Sequence, residues 1–320
     1  MKKALITGIT GQDGSYLAEF LLKTNYKVYG LMRRQSIYPE NLRNIEHLKS
    51  SIELVFGSLE TDGHLASVIN DIKPDEIYNL GAQSDVRISF DIPEYTSDVT
   101  GMGVLRLLEA IRKFSPHSKL YQASSSEMFG STPPPQNENG PFNPENPYAV
   151  AKLFAYHQCK IYRKAYGLFI CNGILFNHES ERRGLNFVTR KITNTVAKIK
   201  LGKAEFLTLG NLEAKRDWGY APEYVKAMRL MMQQTSPSDF VVGTGQIHSV
   251  KDFVDETFRA AGILFPDNYI KLDPNMIRPS ETHYLQADIF KIKNELGWEP
   301  EVNFKDLVKI MYESDLRQVE

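Results

Sequence analysis

Ala4-Leu5-Ile6-Thr7-Gly8-Ile9-Thr10-Gly11-Gln12-Asp13-Gly14 reads as a buried strand passing into a helix through a glycine-rich turn. The apolar run over residues 3–7 suits a strand covered on both faces. Gly8, Gly11 and Gly14 then recur at every third position. The first permits a tight turn, the second lets backbone approach a phosphate, and the third lets a helix pack against the strand. The spacing is G-x-x-G-x-x-G rather than G-x-G-x-x-G. Its place after an apolar strand and before a helix is still the context that a dinucleotide pyrophosphate requires.

Outward from this turn the alternation continues. Tyr16, Leu17, Phe20 and Leu21 predict a helix over 13–24. Lys27–Met32, Ile52–Phe56, Glu76–Leu80 and Lys119–Gln122 read as further strands, with helices at 61–71 and 94–114. The latter carries Val99, Met102, Leu105, Leu108 and Ile111 on a broad apolar face. The proline-rich segment 131–147 is a loop. A helix over 148–166 and a strand near 168–175 follow. Strands alternating with helices predict an α/β fold: a doubly wound parallel (Rossmann) sheet with right-handed crossovers. Past residue 176 helices are expected at 187–201, 222–234, 249–261, 288–296 and 304–317, and a short strand Asp239–Val242 should rejoin the sheet. The division is therefore 1–176 for the dinucleotide and 177–320 for the substrate. The second part is smaller, mostly helical and discontinuous, and it closes over the carboxyl edge of the sheet, where ligands bind.

Composition narrows the function. Lys plus Arg number 38 against 39 Asp plus Glu, so the net charge is −1 and neither a nucleic-acid footprint nor a polybasic membrane patch is expected. Hydrophobic residues make up 42 %, enough for a large core, but no apolar run approaches the ~18 residues of a membrane span. A strand beginning at residue 3 leaves no signal peptide expected. Cys159 and Cys171 lie in apolar-patterned segments and read as buried thiols of a reducing cytosol. The 7 His include no HExxH pair, and no metal is expected.

Three further stretches carry chemistry. Arg33-Arg34 stand at the end of the second strand, where an acid would bind a ribose 2′-hydroxyl; guanidinium suits a 2′-phosphate instead, favouring NADP over NAD. In Tyr148-Ala149-Val150-Ala151-Lys152, the Tyr and Lys share one helix face. A phenol of pKa about 10 becomes a base at working pH when an ammonium and an oxidised nicotinamide stabilise its anion. Ser124-Ser125-Ser126-Glu127 follow the fifth strand. There they either cap a local turn or supply a hydroxyl and a carboxylate beside the tyrosine. A plain alcohol dehydrogenase has no use for that carboxylate, so it points to proton abstraction next to a new ketone. Phe176–Gly184 and Lys215–Gly219 are polar where the two parts should meet, and with Lys191 and Arg278 they offer cations for a diphosphate.

The Gly8–Gly14 turn, Asn79–Ser84, Gln122–Glu127, Tyr148–Lys152, Gly173–Ser180, Phe187–Lys191 and Arg216–Gly219 together closely resemble the GDP-mannose 4,6-dehydratases, a family of the extended short-chain dehydrogenases/reductases. The resemblance implies NADP held tightly and recycled. It implies Ser125 in the place of a threonine, Glu127 as the base at C5, Tyr148 as the base at O4, and Lys152 on the nicotinamide ribose. NADP contacts are implied for Gly8, Thr10, Gly11, Gln12, Asp13, Arg33, Ser58, Leu59, Leu80, Gly81, Ala82, Ser84, Tyr95, His178 and Arg183. GDP-sugar contacts are implied for Ser84, Asn177, Lys191, Arg216, Arg278 and Glu281. The family forms homodimers or homotetramers, and the loop after Arg34 often reaches a neighbour's cofactor. Departures from the family pattern are Ser125 for threonine, Ser58 for aspartate, Glu145-Asn146 for Arg-Ser, and His157 and Arg229 for tryptophans.

The reaction so implied makes GDP-4-dehydro-6-deoxy-D-mannose, a precursor of deoxyhexoses, in the cytoplasm. The departures leave a related GDP-sugar open as substrate. A GDP-sugar 4-reductase or epimerase is the second reading, against which Glu127 stands. A nucleotide-binding regulator without activity is the third, opposed by the intact Ser-Glu-Tyr-Lys set.

Overall fold

The structure is a computed structural model, and it describes residues 1–33, 40–276, 280 and 284–320. The chain begins with β1 (Lys3–Thr7), α1 (Gln12–Lys23), β2 (Lys27–Met32), β3 (Glu53–Phe56), α2 (Asp62–Ile72) and β4 (Glu76–Asn79). Two short helices follow, α3 (Val86–Asp91) and α4 (Pro93–Ser97), then α5 (Gly103–Phe114), β5 (Lys119–Ser125), α6 (Pro147–Tyr166) and β6 (Ile170–Leu175). The seven strands of the main sheet run in the order β11-β6-β5-β4-β1-β2-β3, where β11 is Asp239–Val242, and all pairs are parallel. The chain builds outward from β1 through β2 to β3, then crosses to β4 on the other side of β1. That reversal opens a crevice beyond the carboxyl ends of β1 and β4, the place where such sheets bind ligands.

Successive residues of a strand point to opposite faces, and the cores obey this. Ile6, Tyr78 and Tyr121 join Leu17, Met228 and Phe240 on one face. Their neighbours Leu5, Ile77 and Leu120 join Leu65, Leu107 and Ala155 on the other. Both faces are thus buried, as the unbroken apolar runs require.

The rest of the chain comprises β7 (Asn177–Glu179), α7 (Val188–Lys200), β8 (Leu207–Leu209), β9 (Lys215–Arg216), β10 (Trp218–Tyr220), α8 (Ala221–Met232), β11, β12 (His248–Ser249), α9 (Val250–Ala260), β13 (Ile270–Leu272), α10 (Phe290–Leu296) and α11 (Phe304–Val319). Ile192, Trp218, Phe253 and Met311 draw α7, β10, α9 and α11 into a separate core. The Arg190 guanidinium, fully buried there, is paired with Asp315 at 2.7 Å. By contrast α8 and α10 pack on the main sheet through Met228, Met231 and Ile292. Among the described residues no helix is long and apolar enough to cross a membrane.

Three expectations change in detail. The single helix expected over 94–114 is interrupted by a π turn at Asp98–Met102 between α4 and α5. There Gly103 meets Leu59 so closely that a Cβ on it would lie 2.8 Å from the leucine Cβ. The helix α3 was not expected; Asp85 caps it by accepting from the amides of Arg87 and Ile88 at 2.9 and 3.2 Å. The fifth strand also runs to Ser125, so Ser124 and Ser125 lie in the strand rather than after it, because both pair in register with Ile174 and Leu175 of β6.

Candidate active site

The turn after β1 leaves no room for side chains. Gly8 has φ +70°, and a Cβ on it would lie 2.9 Å from the Gly81 nitrogen. A Cβ on Gly14 would lie 2.4 Å from the Gly8 oxygen. Helix α1 starts at Gly11, which offers its first amides no side-chain cap. Those amides remain available to an anion. A polar lattice pins the strand ends beside the turn. Thr7 Oγ1 donates to Asn79 Oδ1 at 2.6 Å and accepts from the amides of Leu80 and Gly81 at 3.1 and 3.0 Å. Asn79 Nδ2 donates to Gln122 Oε1 at 2.7 Å. The ends of β1, β4 and β5 are thus held in one register, which fixes where Ser125 and Glu127 emerge.

Across the turn, His178 of β7 reaches Asp13. Its Nε2 lies 2.8 Å from Asp13 Oδ2, and its Nδ1 lies 2.7 Å from the Phe176 carbonyl. Both ring nitrogens therefore face acceptors, which only the imidazolium satisfies. Burial works to lower the His178 pKa, but Asp13 and the Phe176 carbonyl outweigh it and the value is raised. Burial likewise works to raise Asp13; His178, Gln12 and Arg183 outweigh it and the value is lowered. Gln12 adds to the tie, donating to the His178 carbonyl at 3.1 Å and accepting from Ser180 Oγ at 2.8 Å.

Ser125, Glu127, Tyr148 and Lys152 converge opposite this pair, all buried. Ser125 ends β5 and accepts from the Glu127 amide at 3.2 Å. Asn146 caps α6, Pro147 takes the first helical position, and Tyr148 and Lys152 follow one turn apart. Lys152 Nζ donates to the Ala123 carbonyl at 2.7 Å and lies 5.7 Å from the centre of the Tyr148 ring. Burial lowers its pKa to about 8. Burial pushes the Tyr148 phenol up to about 12, and the hydrogen bond with Ser125 offsets this only in part. Low dielectric, with the charge of Glu127, disfavours the phenolate more than Ser125 and Arg183 favour it.

These groups line one cavity of about 730 Å³. Of the sequence-predicted residues it brings together Gly8, Gly11, Gln12, Asp13, Leu80, Ala82, Ser84, Ser125, Glu127, Tyr148, Lys152, Asn177, His178, Arg183, Lys191 and Arg216. Thr10, Arg33, Ser58, Leu59, Gly81 and Tyr95 are not in its lining. Of these, exposed Arg33 donates to the Tyr95 hydroxyl, Ser58 donates to Glu60 at 2.6 Å, and Leu59 is buried in the core. Arg34, Arg278 and Glu281 lie outside the described residues. Within the two polar stretches, Arg182 turns away to stack on Tyr16. Buried Asp217 accepts from the amides of Thr244, Gly245 and Ala287, a structural role. His157 and Arg229 are also not in the lining.

Three lining or adjoining residues receive no site role from the sequence. Asn186 donates to Asp85 at 2.7 Å across the cavity mouth, and Asn146 donates to Glu127 at 2.9 Å. Asp85 and Asn146 each precede a helix start, a capping signal legible in the sequence; Asn186 carries no such signal.

The family model for GDP-mannose 4,6 dehydratase matches residues 5–311. The chain belongs to the GDP-mannose 4,6-dehydratase family. It is 53 % identical over 327 residues to GDP-mannose 4,6 dehydratase 2 of Arabidopsis thaliana, spanning 98 % of this chain and 87 % of that protein. It is 49 % identical over 340 residues to the GDP-mannose 4,6 dehydratase of Homo sapiens, spanning 98 % and 91 %. The GDP-mannose 4,6-dehydratase of Vibrio cholerae serotype O1 is 45 % identical over 355 residues, spanning 100 % and 95 %. Among solved structures, the UDP-glucose 4-epimerase of Thermotoga maritima superposes with TM-score 0.88 at 24 % identity, covering 99 % of this chain and 100 % of that one. The dTDP-glucose 4,6-dehydratase DesIV of Streptomyces venezuelae, with NAD and TYD bound, superposes with TM-score 0.86 at 20 % identity, covering 98 % and 96 %. At those identities the structures establish the fold alone.

Proposed function

We propose that this protein converts GDP-α-D-mannose to GDP-4-dehydro-6-deoxy-α-D-mannose and water. The observation that carries the reading is a buried carboxylate, Glu127, in the same cavity as Ser125 and Tyr148. A dinucleotide fits the other end: the turn has no space for a Cβ at Gly8 or Gly14, and the uncapped amides of α1 open on the cavity. Gly8, Thr10, Gly11, Gln12 and Asp13 would hold its pyrophosphate side, with Leu80, Gly81, Ala82, Ser84, His178 and Arg183 flanking it and Lys152 on the ribose. A bound nicotinamide dinucleotide supplies a positive charge and keeps the hydride taken from C4 until C6 accepts it. Tyr148 takes the O4 proton, with Ser125 bonded to the same oxygen. The carbonyl formed at C4 acidifies the C5 hydrogen. Glu127 takes that proton, the electron pair of the C–H bond forms the C5–C6 double bond, and the C6 hydroxyl leaves as water by taking the proton from Glu127.

Arg33 supports NADP over NAD, since an exposed guanidinium stands where a ribose-binding acid would. Ser58, Leu59 and Tyr95 would neighbour it at the adenosine end. Asn177, Lys191, Arg216, Arg278 and Glu281 are assigned to the GDP-sugar. The dinucleotide belongs to residues 1–176 with β11, and the GDP-sugar to 177–320. Exposed Val150, Phe154 and Ile161 on one stripe of α6, with Met102 and Phe114 beside α5, support a homodimer or a pair of dimers. The buried free thiols Cys159 and Cys171 suit the cytoplasm.

Incubating the purified protein with GDP-mannose tests the reading. The expected product is one water lighter by mass. No loss of water from GDP-mannose, with turnover of another GDP-sugar, would overturn the substrate assignment.

A further inference from the structure

Asn146 uses both ends of its side chain. Oδ1 accepts from the Ala149 amide at 2.8 Å, capping α6, and Nδ2 donates to Glu127 Oε2 at 2.9 Å. Both residues are buried, at 5 % and 7 % exposure. The two ends of an amide are not interchangeable. The helix cap demands an acceptor, so Oδ1 must face Ala149 and the donor end must face Glu127. Pro147 follows at the first helical position and restricts the backbone of Asn146 to extended geometry, where the cap forms. Glu127 has no cationic partner among the described residues. Asn146 is its side-chain donor there, and the Tyr148 phenol lies close enough to feel its charge.

A buried carboxylate without a donor would be both costly and free to rotate. A lysine or arginine would hold it but would also quench its basicity. A neutral amide orients one oxygen and leaves the other to accept a proton. We propose that Asn146 is a positioning residue that aims the Glu127 carboxylate at C5 and ties it to the helix bearing Tyr148. The two bases then move as one unit, because one side chain bridges the end of β5 and the start of α6. The proposal rests on Glu127 being the C5 base.

Two substitutions separate capping from positioning. Aspartate caps helices about as well as asparagine, and glycine only slightly less well. N146D keeps the cap but sets a carboxylate against Glu127. N146G is still an accepted cap residue and removes the donor. Both variants should melt within a few degrees of the wild type and retain the KM for GDP-mannose. Oxidation at C4, followed in a single turnover by absorbance of the reduced cofactor, should persist within about threefold. Water loss should slow roughly tenfold in N146G and more in N146D, a part of the roughly hundredfold or more that a general base supplies. Reduced cofactor should then accumulate, and deuterium at C5 should produce an isotope effect on kcat larger than in the wild type. If both half-reactions fall in parallel, or if water loss in N146D equals that of the wild type, the positioning role is overturned. Should N146D fail to fold, N146G alone decides. E127Q run alongside distinguishes the failures: normal dehydration by E127Q removes the base assignment and this proposal with it, whereas a blocked E127Q with unaffected Asn146 variants removes only the proposal.

Discussion

Gly14→Ala should weaken both the fold and the dinucleotide site, against the ordinary effect of that substitution. Gly14 is the third residue of α1, and alanine in place of glycine within a helix normally stabilises by about 0.5–1 kcal/mol. Here the new Cβ would sit 2.4 Å from the Gly8 carbonyl oxygen and 2.6 and 2.9 Å from the Cα and carbonyl carbon of Ile9. Carbon atoms rest at about 3.5–4.0 Å, so α1 must withdraw from the turn by about 1 Å. The atoms in the way are backbone and cannot swing aside. Overpacking of this kind costs about 1–3 kcal/mol. Subtracting the helix gain leaves a net loss of up to about 2.5 kcal/mol, centred on about 1 kcal/mol. The displaced helix start should also lower dinucleotide affinity at least tenfold, because the α1 amides that face the cavity move with it. Denaturant unfolding and a cofactor titration read the two effects. Gly63→Ala in α2 is the control: nothing lies within 4 Å of its Cβ position, and stability should hold or rise. Unchanged stability and affinity in Gly14→Ala would refute the close-packed turn.

Tyr148→Phe keeps the ring and removes the ionisable oxygen; kcat should fall roughly a hundredfold or more while nucleotide-sugar affinity holds, and near-normal turnover would sink the assignment. Arg33→Asp should weaken NADP far more than NAD in direct titrations, since a carboxylate repels a 2′-phosphate; equal weakening would show that Arg33 does not read it. His178→Gln should lower the melting temperature in a defined pH window. The His178 pKa is raised above its ordinary 6.5, so its contribution is full below 6.5 and fades as pH climbs through the folded value. The Asp13 pKa is lowered below 3.8, so its contribution is present above 3.8 and fades as pH falls. The gap between wild type and variant should be widest between 3.8 and 6.5 and narrow at higher pH; a gap independent of pH would contradict the ion pair.

The sheet was legible because its strands other than the edge strand β3 are buried on both faces. Runs such as Ala4–Thr7 and Lys27–Met32 carry no competing helical period, and β1 and β2 stand where they were expected. The return of Asp239–Val242 to β6 was legible for the same reason. The strands β7, β8, β9, β10, β12 and β13 were not, since two or three residues cannot express a period of two. The π turn at Asp98–Met102 escaped because an apolar face at 3.6 residues per turn continues across it; only contact with Leu59 reveals why Gly103 must sit closer than the pattern implies. At the site, spacing within one helix placed Tyr148 and Lys152 on the same face, but not the burial that raises one and lowers the other. Asn146 was noted only as a departure from the family pattern, and its bond to Glu127 joins positions 19 apart in sequence. Contacts of that kind belong to the fold and not to any local run of residues.

The central claim is that one cavity oxidises C4, removes water across C5 and C6, and reduces C6 without releasing the hydride. GDP-mannose carrying deuterium at C4 tests it directly. With the wild-type protein and mass spectrometry of the product, the account expects the label at C6 of the same molecule. Mixing labelled and unlabelled substrate should yield no crossover. Label appearing in free reduced cofactor, or lost from a product that still carries its C6 hydroxyl, would contradict the account and favour a reductase or epimerase acting on the same fold.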